Sequence, residues 1–297
     1  MISVSRDKPA MFRNAPRHAM RIARLAVIGF GFAAIEPSSP VLADPFDMSF
    51  LRGSFASASG YNRWGGVYLG AHYGHSNMNT DFAQGTGPLV AYILRNTTIE
   101  NEGSVSSWTT LSKGSTTGKA FGGFIGYNID WGEVVLGVEG DYTRVGLRGT
   151  ATDTISRRFT TSDGYENNVA VTGNSSVTLH EYWAVRGRAG YAFGQFLPYA
   201  AVGIALGRFD YSSSATVTAS GTDISGGGGS PYSFGPETRT DARQNVFVAG
   251  LSAGVGMDVA ITPNLFVRGE YEYVGFAKVS GNKINLQNLR VGLGWKF

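Results

Sequence analysis

The chain has 297 residues, 42 of them Gly and none Cys, with 42% hydrophobic residues, 16% charged residues and a formal net charge of +3. The missing Cys excludes a disulfide scaffold, a thiolate metal site and a cysteine nucleophile, and no apolar run reaches the roughly 18–20 residues that a transmembrane helix needs. An aromatic content of 12% argues against a disordered chain, while a pI near 9.0 raises the question of nucleic-acid binding.

Residues 13–24 carry Arg13, Arg17, Arg21 and Arg24, and the apolar stretch Leu25–Ile35 follows, closed by Pro37, Pro40 and Val41-Leu42-Ala43. A basic region, a short apolar core and small residues at the end describe a secretory signal, with cleavage predicted after Ala43. Eleven apolar residues are too few for a membrane anchor. Met1, Met11 and Met20 are all usable starts for such a signal. Its removal takes away six of the 25 basic and two of the 22 acidic residues and leaves a net charge of −1. The basic pI therefore belongs to the export signal, and nucleic-acid binding loses its main support.

Residues 44–62 show no period and read as an N-terminal periplasmic tail, which leaves 63–297 as the folded domain. From Trp64 onward the hydropathy alternates every two residues, the period of a β-strand. Eight such segments are predicted: 64–76, 119–130, 133–147, 178–193, 196–211, 244–261, 265–278 and 284–297. Tight turns at 130–132, 193–195 and 262–264 alternate with long polar loops at 77–118, 148–177 and 212–243 and a short loop at 279–283. Short turns at one end and long loops at the other are the build of an outer-membrane barrel.

The two rows of each strand decide the orientation. In the third segment Val134, Leu136, Val138 and Tyr142 oppose Gly137, Glu139, Asp141 and Thr143; in the last, Leu289, Val291, Leu293, Trp295 and Phe297 oppose Asn288, Arg290, Gly292 and Gly294. A row of Gly and mid-strand charges suits a narrow interior, and the apolar row then faces lipid. The fold predicted is all-β, an eight-stranded antiparallel transmembrane β-barrel with long extracellular loops. Closure is required because hydrocarbon tolerates no unpaired strand edge. The aromatic residues Trp295 and Phe297, on an alternating final strand, read as a signal to the outer-membrane assembly machinery.

The chain resembles the small alphaproteobacterial outer-membrane immunogenic, or porin-family, barrels of the OmpA/OmpX-like class. The residues that carry the likeness include Trp64-Gly65-Gly66-Val67-Tyr68-Leu69-Gly70, Gly137-Val138-Glu139-Gly140-Asp141-Tyr142, Val185-Arg186-Gly187-Arg188-Ala189-Gly190-Tyr191 and Arg268-Gly269-Glu270-Tyr271. The resemblance implies a structural, surface-exposed membrane protein, and for some relatives haemin binding.

Four acids and four arginines fall on the inward rows: Glu139, Asp141, Glu270 and Glu272 with Arg186, Arg188, Arg268 and Arg290. Buried charges must be paired, so the expectation is a salt-bridged plug; a narrow ion path is the alternative. His75, Arg144, Arg208 and Arg243 fall on the lipid-facing parity just beyond the apolar band. There they either contact lipopolysaccharide phosphates or mark where charge resumes in water. Catalysis is not expected. His72 and His75 lie on opposite faces, His180 stands alone, and no triad of the kind used by lipid-A-modifying barrels is visible. Gly114–Ala120 departs from a phosphate loop in its spacing and ends in Ala. Haemin capture would draw on Met78, Tyr92, Tyr165 or Tyr232 in the long loops. The reading is a monomer without cofactor or metal, in contact with outer-membrane lipid and lipopolysaccharide.

Overall fold

The computed structural model describes residues 64–109 and 111–297; the expected signal over 1–43 and the tail over 44–62 lie outside the described residues. Eight strands are present: β1 (Gly66–Asp81), β2 (Lys113–Trp131), β3 (Val134–Thr160), β4 (Tyr165–Tyr191), β5 (Phe196–Asp223), β6 (Tyr232–Ala260), β7 (Leu265–Phe276) and β8 (Lys283–Lys296). Each pairs with its sequence neighbour and β1 pairs with β8, so the sheet closes into a barrel. No helix among the described residues is long and apolar enough to cross a membrane.

The rows fall where the alternation puts them. Val138, Val185, Ile204, Leu251, Leu289 and Val291 point outward, each more than half exposed, whereas Glu139, Arg186, Glu270 and Arg290 are buried inside. Exposed aromatics ring the turn end, among them Tyr127, Trp131, Phe193, Trp295 and Phe297. An apolar belt with an aromatic girdle is what a barrel wall presents to a bilayer. Small inner residues let the strands and their charged neighbours fit. A Cβ on Gly203 would fall 2.0 Å from the Val185 carbonyl oxygen and 2.6 Å from the Arg186 Cα.

The long loops differ from expectation. β3 and β4 each run for 27 residues, β5 for 28 and β6 for 29, against the roughly 9–11 that cross a bilayer. Residues 148–177 and 212–243 are therefore mostly paired strand, turned only at 161–164 and 224–231. The pairing persists while its hydropathy signature fades, because beyond the lipid band the outward row faces water and carries Thr and Asn instead of Leu and Val. Asp223 anchors the β5–β6 tip. Its carboxylate accepts from the Ser225 hydroxyl and N–H and from the Gly229 N–H, and these bonds hold it below the usual carboxylate range.

Three of the four register shifts share one height. They lie between Arg144 and Leu147 on β3, between Leu179 and Glu181 on β4, and opposite Phe209–Tyr211 of β5, where β6 carries the extra residue, with Gly146 and Asn245 at positive φ; the fourth lies further out, at Val217–Ala219 of β5. Each bulge re-aims the strand that carries it, so the wall changes pitch where it leaves the apolar belt.

The segment between β1 and β2 folds as α1 (Gly87–Ile93), α2 (Thr98–Gly103) and a 3-10 turn at Val105–Ser107. Pro88 lies in the first turn of α1, and the Thr97 side chain caps α2 by accepting from the Glu100 N–H at 3.3 Å. Val90, Leu94 and Val105 bury themselves against Val169, Val171 and Val217 of the β4–β5 extension. That burial, not helix length, holds two helices too short to persist alone.

Candidate functional site

The interior of the barrel is layered. At the turn end Trp64, Tyr68, Phe124, Leu197 and Phe266 pack together. At the hairpin end Met78, Leu179, Phe209, Phe276, Ile284 and Leu286 form a second apolar layer. Between the two lies the charged layer. An eight-stranded barrel has an interior just wide enough for side chains to fill.

Arg186 lies at the centre of that layer and is wholly buried. It donates to Glu139 at 2.6 Å, to Glu272 at 3.4 Å and, in a short bond, to Glu270. Arg268 joins Glu139 at 2.6 Å and Asp258 at 2.8 Å, and Arg188 joins Asp258 at 2.7 Å. Arg290 joins Asp141 at 3.0 Å and Glu270 at 2.8 Å. The structure thus brings all eight inward charges named from the sequence into one connected cluster.

The cluster has further members beyond those eight. Asp258 is a fifth buried carboxylate, and His72 lies 3.2 Å from Asp141. Three tyrosine hydroxyls donate into the cluster: Tyr68 to Glu139 at 2.8 Å, Tyr182 to Glu272 at 2.6 Å and Tyr199 to Glu270 at 2.6 Å. Asn288 and Ser252 complete the hydrogen bonds of Glu272. The inward parity of each strand already carried this information for Asp258 and Tyr199. Arg188 and Arg268 also lie over the Tyr199 and Phe124 rings at 3.9 and 4.1 Å, which joins the charged layer to the aromatic layer beneath it.

The four rim cations do not share one surface. His75 and Arg144 are exposed on the outward row, and Lys119, directly opposite His75, joins them there. Arg208 is outward but engaged, donating to Glu181 at 2.9 Å and to Asn245 at 2.8 Å. Arg243 departs from expectation. The bulge at Asn245 flips the parity of β6, and Arg243 sits opposite Tyr211, on the row that continues the barrel interior. The same rim holds a pair not legible in the sequence, His180 Nε2 2.8 Å from Asp210 Oδ2, brought together by the β4 bulge.

The residues expected to serve haemin are also placed differently. Met78 lies in β1 within the apolar layer, while Tyr165 and Tyr232 lie in strands, bonded to the Ser230 carbonyl and the Asn167 side chain. Tyr92 alone stays in a connection, in α1 between β1 and β2, 44% exposed with the Arg95 and Arg239 guanidiniums 4.0 and 3.6 Å from its ring. Phe297, at the turn end, is 68% exposed and donates its N–H to the Val67 carbonyl.

The model of the outer membrane protein beta-barrel domain matches residues 49–297. The chain is 27% identical over 176 residues to the 25 kDa outer-membrane immunogenic protein of Brucella ovis, covering 59% of this chain and 62% of that protein. It is 28% identical to a 22 kDa outer membrane protein of Rhizobium leguminosarum bv. viciae, covering 60% and 66%. The chain thus spans about three fifths of the length of the curated relatives it matches. Among solved structures it is similar to Neisserial surface protein A (TM-score 0.36, 16% identity, 78% of this chain and 97% of the other). It is also similar to the attachment invasion locus protein of Yersinia pestis (TM-score 0.29, 14% identity, 78% and 99%).

Proposed function

The chain belongs to the outer membrane β-barrel domain family and resides in the bacterial outer membrane, and from that premise we propose that it is a sealed barrel that supports envelope integrity and presents hairpins at the cell surface. The observation that carries the reading is the filled interior: an aromatic layer, a cluster of four arginines and five carboxylates, and a second apolar layer in succession. A path for ions needs a continuous wet lumen, and two dry layers in series oppose one. The work then falls to the outer wall and the hairpins, and no catalytic step is assigned to the chain.

In this reading His75, Lys119 and Arg144 meet lipopolysaccharide phosphates where the apolar belt ends. Arg208 contributes less because Glu181 already neutralises it. Arg243 takes no part, since it lies on the other face. Insertion relies on the outer-membrane assembly machinery, with Trp295 on β8 and the adjoining Phe297 as its signal.

A comparison of strains tests the proposal. Cells lacking the gene should admit more of a hydrophobic dye across the outer membrane, and the full chain should restore the barrier. Equal permeability with and without the chain would overturn the envelope role.

A further inference from the structure

Beyond the barrel rim β6 has a strand neighbour on one side only. Its ladder to β7 ends at Gly250↔Phe276, with one further bond from the Ala277 N–H to the Ala249 carbonyl, whereas its ladder to β5 continues to Gly221↔Tyr232. Residues 235–245 are exposed on both side-chain rows apart from a half-buried Asp241. An edge of this kind offers unpaired N–H and C=O groups to another strand.

The row pattern specifies which strand fits. The outward-facing Ala249 turns its carbonyl to this edge, and side-chain face and hydrogen-bonding side alternate together along a strand. Past the bulge at Asn245 the outward row is Thr238, Thr240 and Ala242, so these three present their backbone groups to the open edge. The other row reads Glu237, Arg239, Asp241 and Arg243, alternating in sign. Most incoming strands find no match in such a row, and like charges set opposite one another repel. Its own antiparallel copy centred on Thr240 sets Glu237 against Arg243 and Arg239 against Asp241 throughout. The same alignment places Thr238, Thr240 and Ala242 in hydrogen-bonded pairs, about six backbone bonds in all. Centring on Arg239 or Asp241 instead sets like charges together, and centring on Thr238 or Ala242 leaves one kind of complementary pair in place of two, so the Thr240 register matches the most charges.

We propose that the β6 edge pairs antiparallel with the same edge of a second copy of this chain on an apposed outer membrane. The proposal rests on the reading that the hairpins lie outside the cell. A two-fold axis that makes neighbouring edges antiparallel runs perpendicular to the sheet. For a wall rising out of a membrane, that axis lies in the membrane plane and relates molecules of opposite orientation. Two copies in one membrane cannot satisfy it; two cells face to face can. Thr240 lies nine positions from Ala249 and eight from Tyr232 near the tip, so the paired edges span the open length of β6, with Tyr232 opposite Val248 of the other copy. Two of the charges are already held in place. Arg239 stacks on Tyr92 at 3.6 Å, and Asp241 accepts from the Tyr211 and Ser280 hydroxyls at 3.4 and 3.2 Å.

Phosphatidylcholine vesicles carrying the full chain test the pairing by turbidity. Wild-type vesicles should cluster. Vesicles carrying Glu237→Arg alone, or Arg243→Glu alone, should scatter no more than protein-free ones, because each variant meets like charge on its own copy. A mixture of the two variants should cluster again, since each reversed row then faces its complement. Thr240→Pro, which removes an edge donor at a position where a strand tolerates proline, should abolish clustering in every combination. Dispersed wild-type vesicles, clustering of either single variant, or a mixture that stays dispersed would each overturn the proposal. So would cross-linked dimers formed within isolated vesicles without clustering. A dye entrapped in the same vesicles reports the sealed lumen separately: leakage contradicts the proposed function and leaves the pairing test readable.

Discussion

Replacing Arg186 by Met removes the cation on which three carboxylates converge while keeping much of the side-chain volume. Truncating one partner of a buried ion pair costs about 3–5 kcal/mol, most of it from the charge left behind. Here the stranded groups keep other partners. Glu139 retains Arg268 at 2.6 Å, Glu270 retains Arg290 at 2.8 Å, and Glu272 retains the hydroxyls of Tyr182 and Ser252. The lower end, about 3 kcal/mol, therefore applies. With a denaturant slope of about 2 kcal/mol per molar urea, the midpoint should fall by roughly 1.5 M. Tryptophan fluorescence in detergent micelles reads this, with Gln244→Ala, an exposed edge position, as the control expected within about 0.5 kcal/mol of wild type. Adding Glu270→Gln to Arg186→Met should recover part of the loss, with a coupling of about 0.5–3 kcal/mol in the double-mutant cycle. An Arg186→Met midpoint equal to that of Gln244→Ala would refute the buried-cluster argument.

Gly203→Leu should fail to refold, since its Cβ alone would lie 2.0 Å from a carbonyl oxygen of β4; a refolding yield like wild type would show that β4 and β5 can separate there. Val90→Asp places a carboxylate at a wholly buried position, so α1 should lift from the sheet and trypsin should cut faster after Arg95 while the barrel persists. Unchanged cleavage, followed by mass spectrometry, would contradict the packing described. Lys119→Ser with Arg144→Ser should lower the lipopolysaccharide that copurifies in detergent, whereas Arg243→Ser should not; equal losses would return Arg243 to the lipid-facing row.

Within the lipid belt the sequence is transparent because one solvent, hydrocarbon, faces one row and a crowded interior faces the other. Val138 beside Glu139 and Val185 beside Arg186 can be assigned from parity alone. Above the belt both rows meet polar surroundings or a protein cap, and the contrast disappears. The β-branched runs Thr150-Ala151-Thr152-Asp153-Thr154-Ile155 and Ser214-Ala215-Thr216-Val217-Thr218 were the remaining sign of strand. The helices were signalled by Gly87-Pro88 and by Thr97 three residues before Glu100, though only the apolar inner faces of β4 and β5 make them stable. Arg243 shows the limit of parity. One extra residue at Asn245 moves every side chain beyond it to the other face, and no hydropathy period records that step. The central cluster was legible as a set of charges but not as a set of pairs, because pairing depends on register between strands as distant as β3 and β7.

Single-channel recording across a planar bilayer tests the sealed interior most directly. The wild-type barrel should give a flat current, with no reproducible unit step at any moderate voltage. A stable open channel of fixed unit conductance would contradict it, because such a current requires a water-filled path through all three layers.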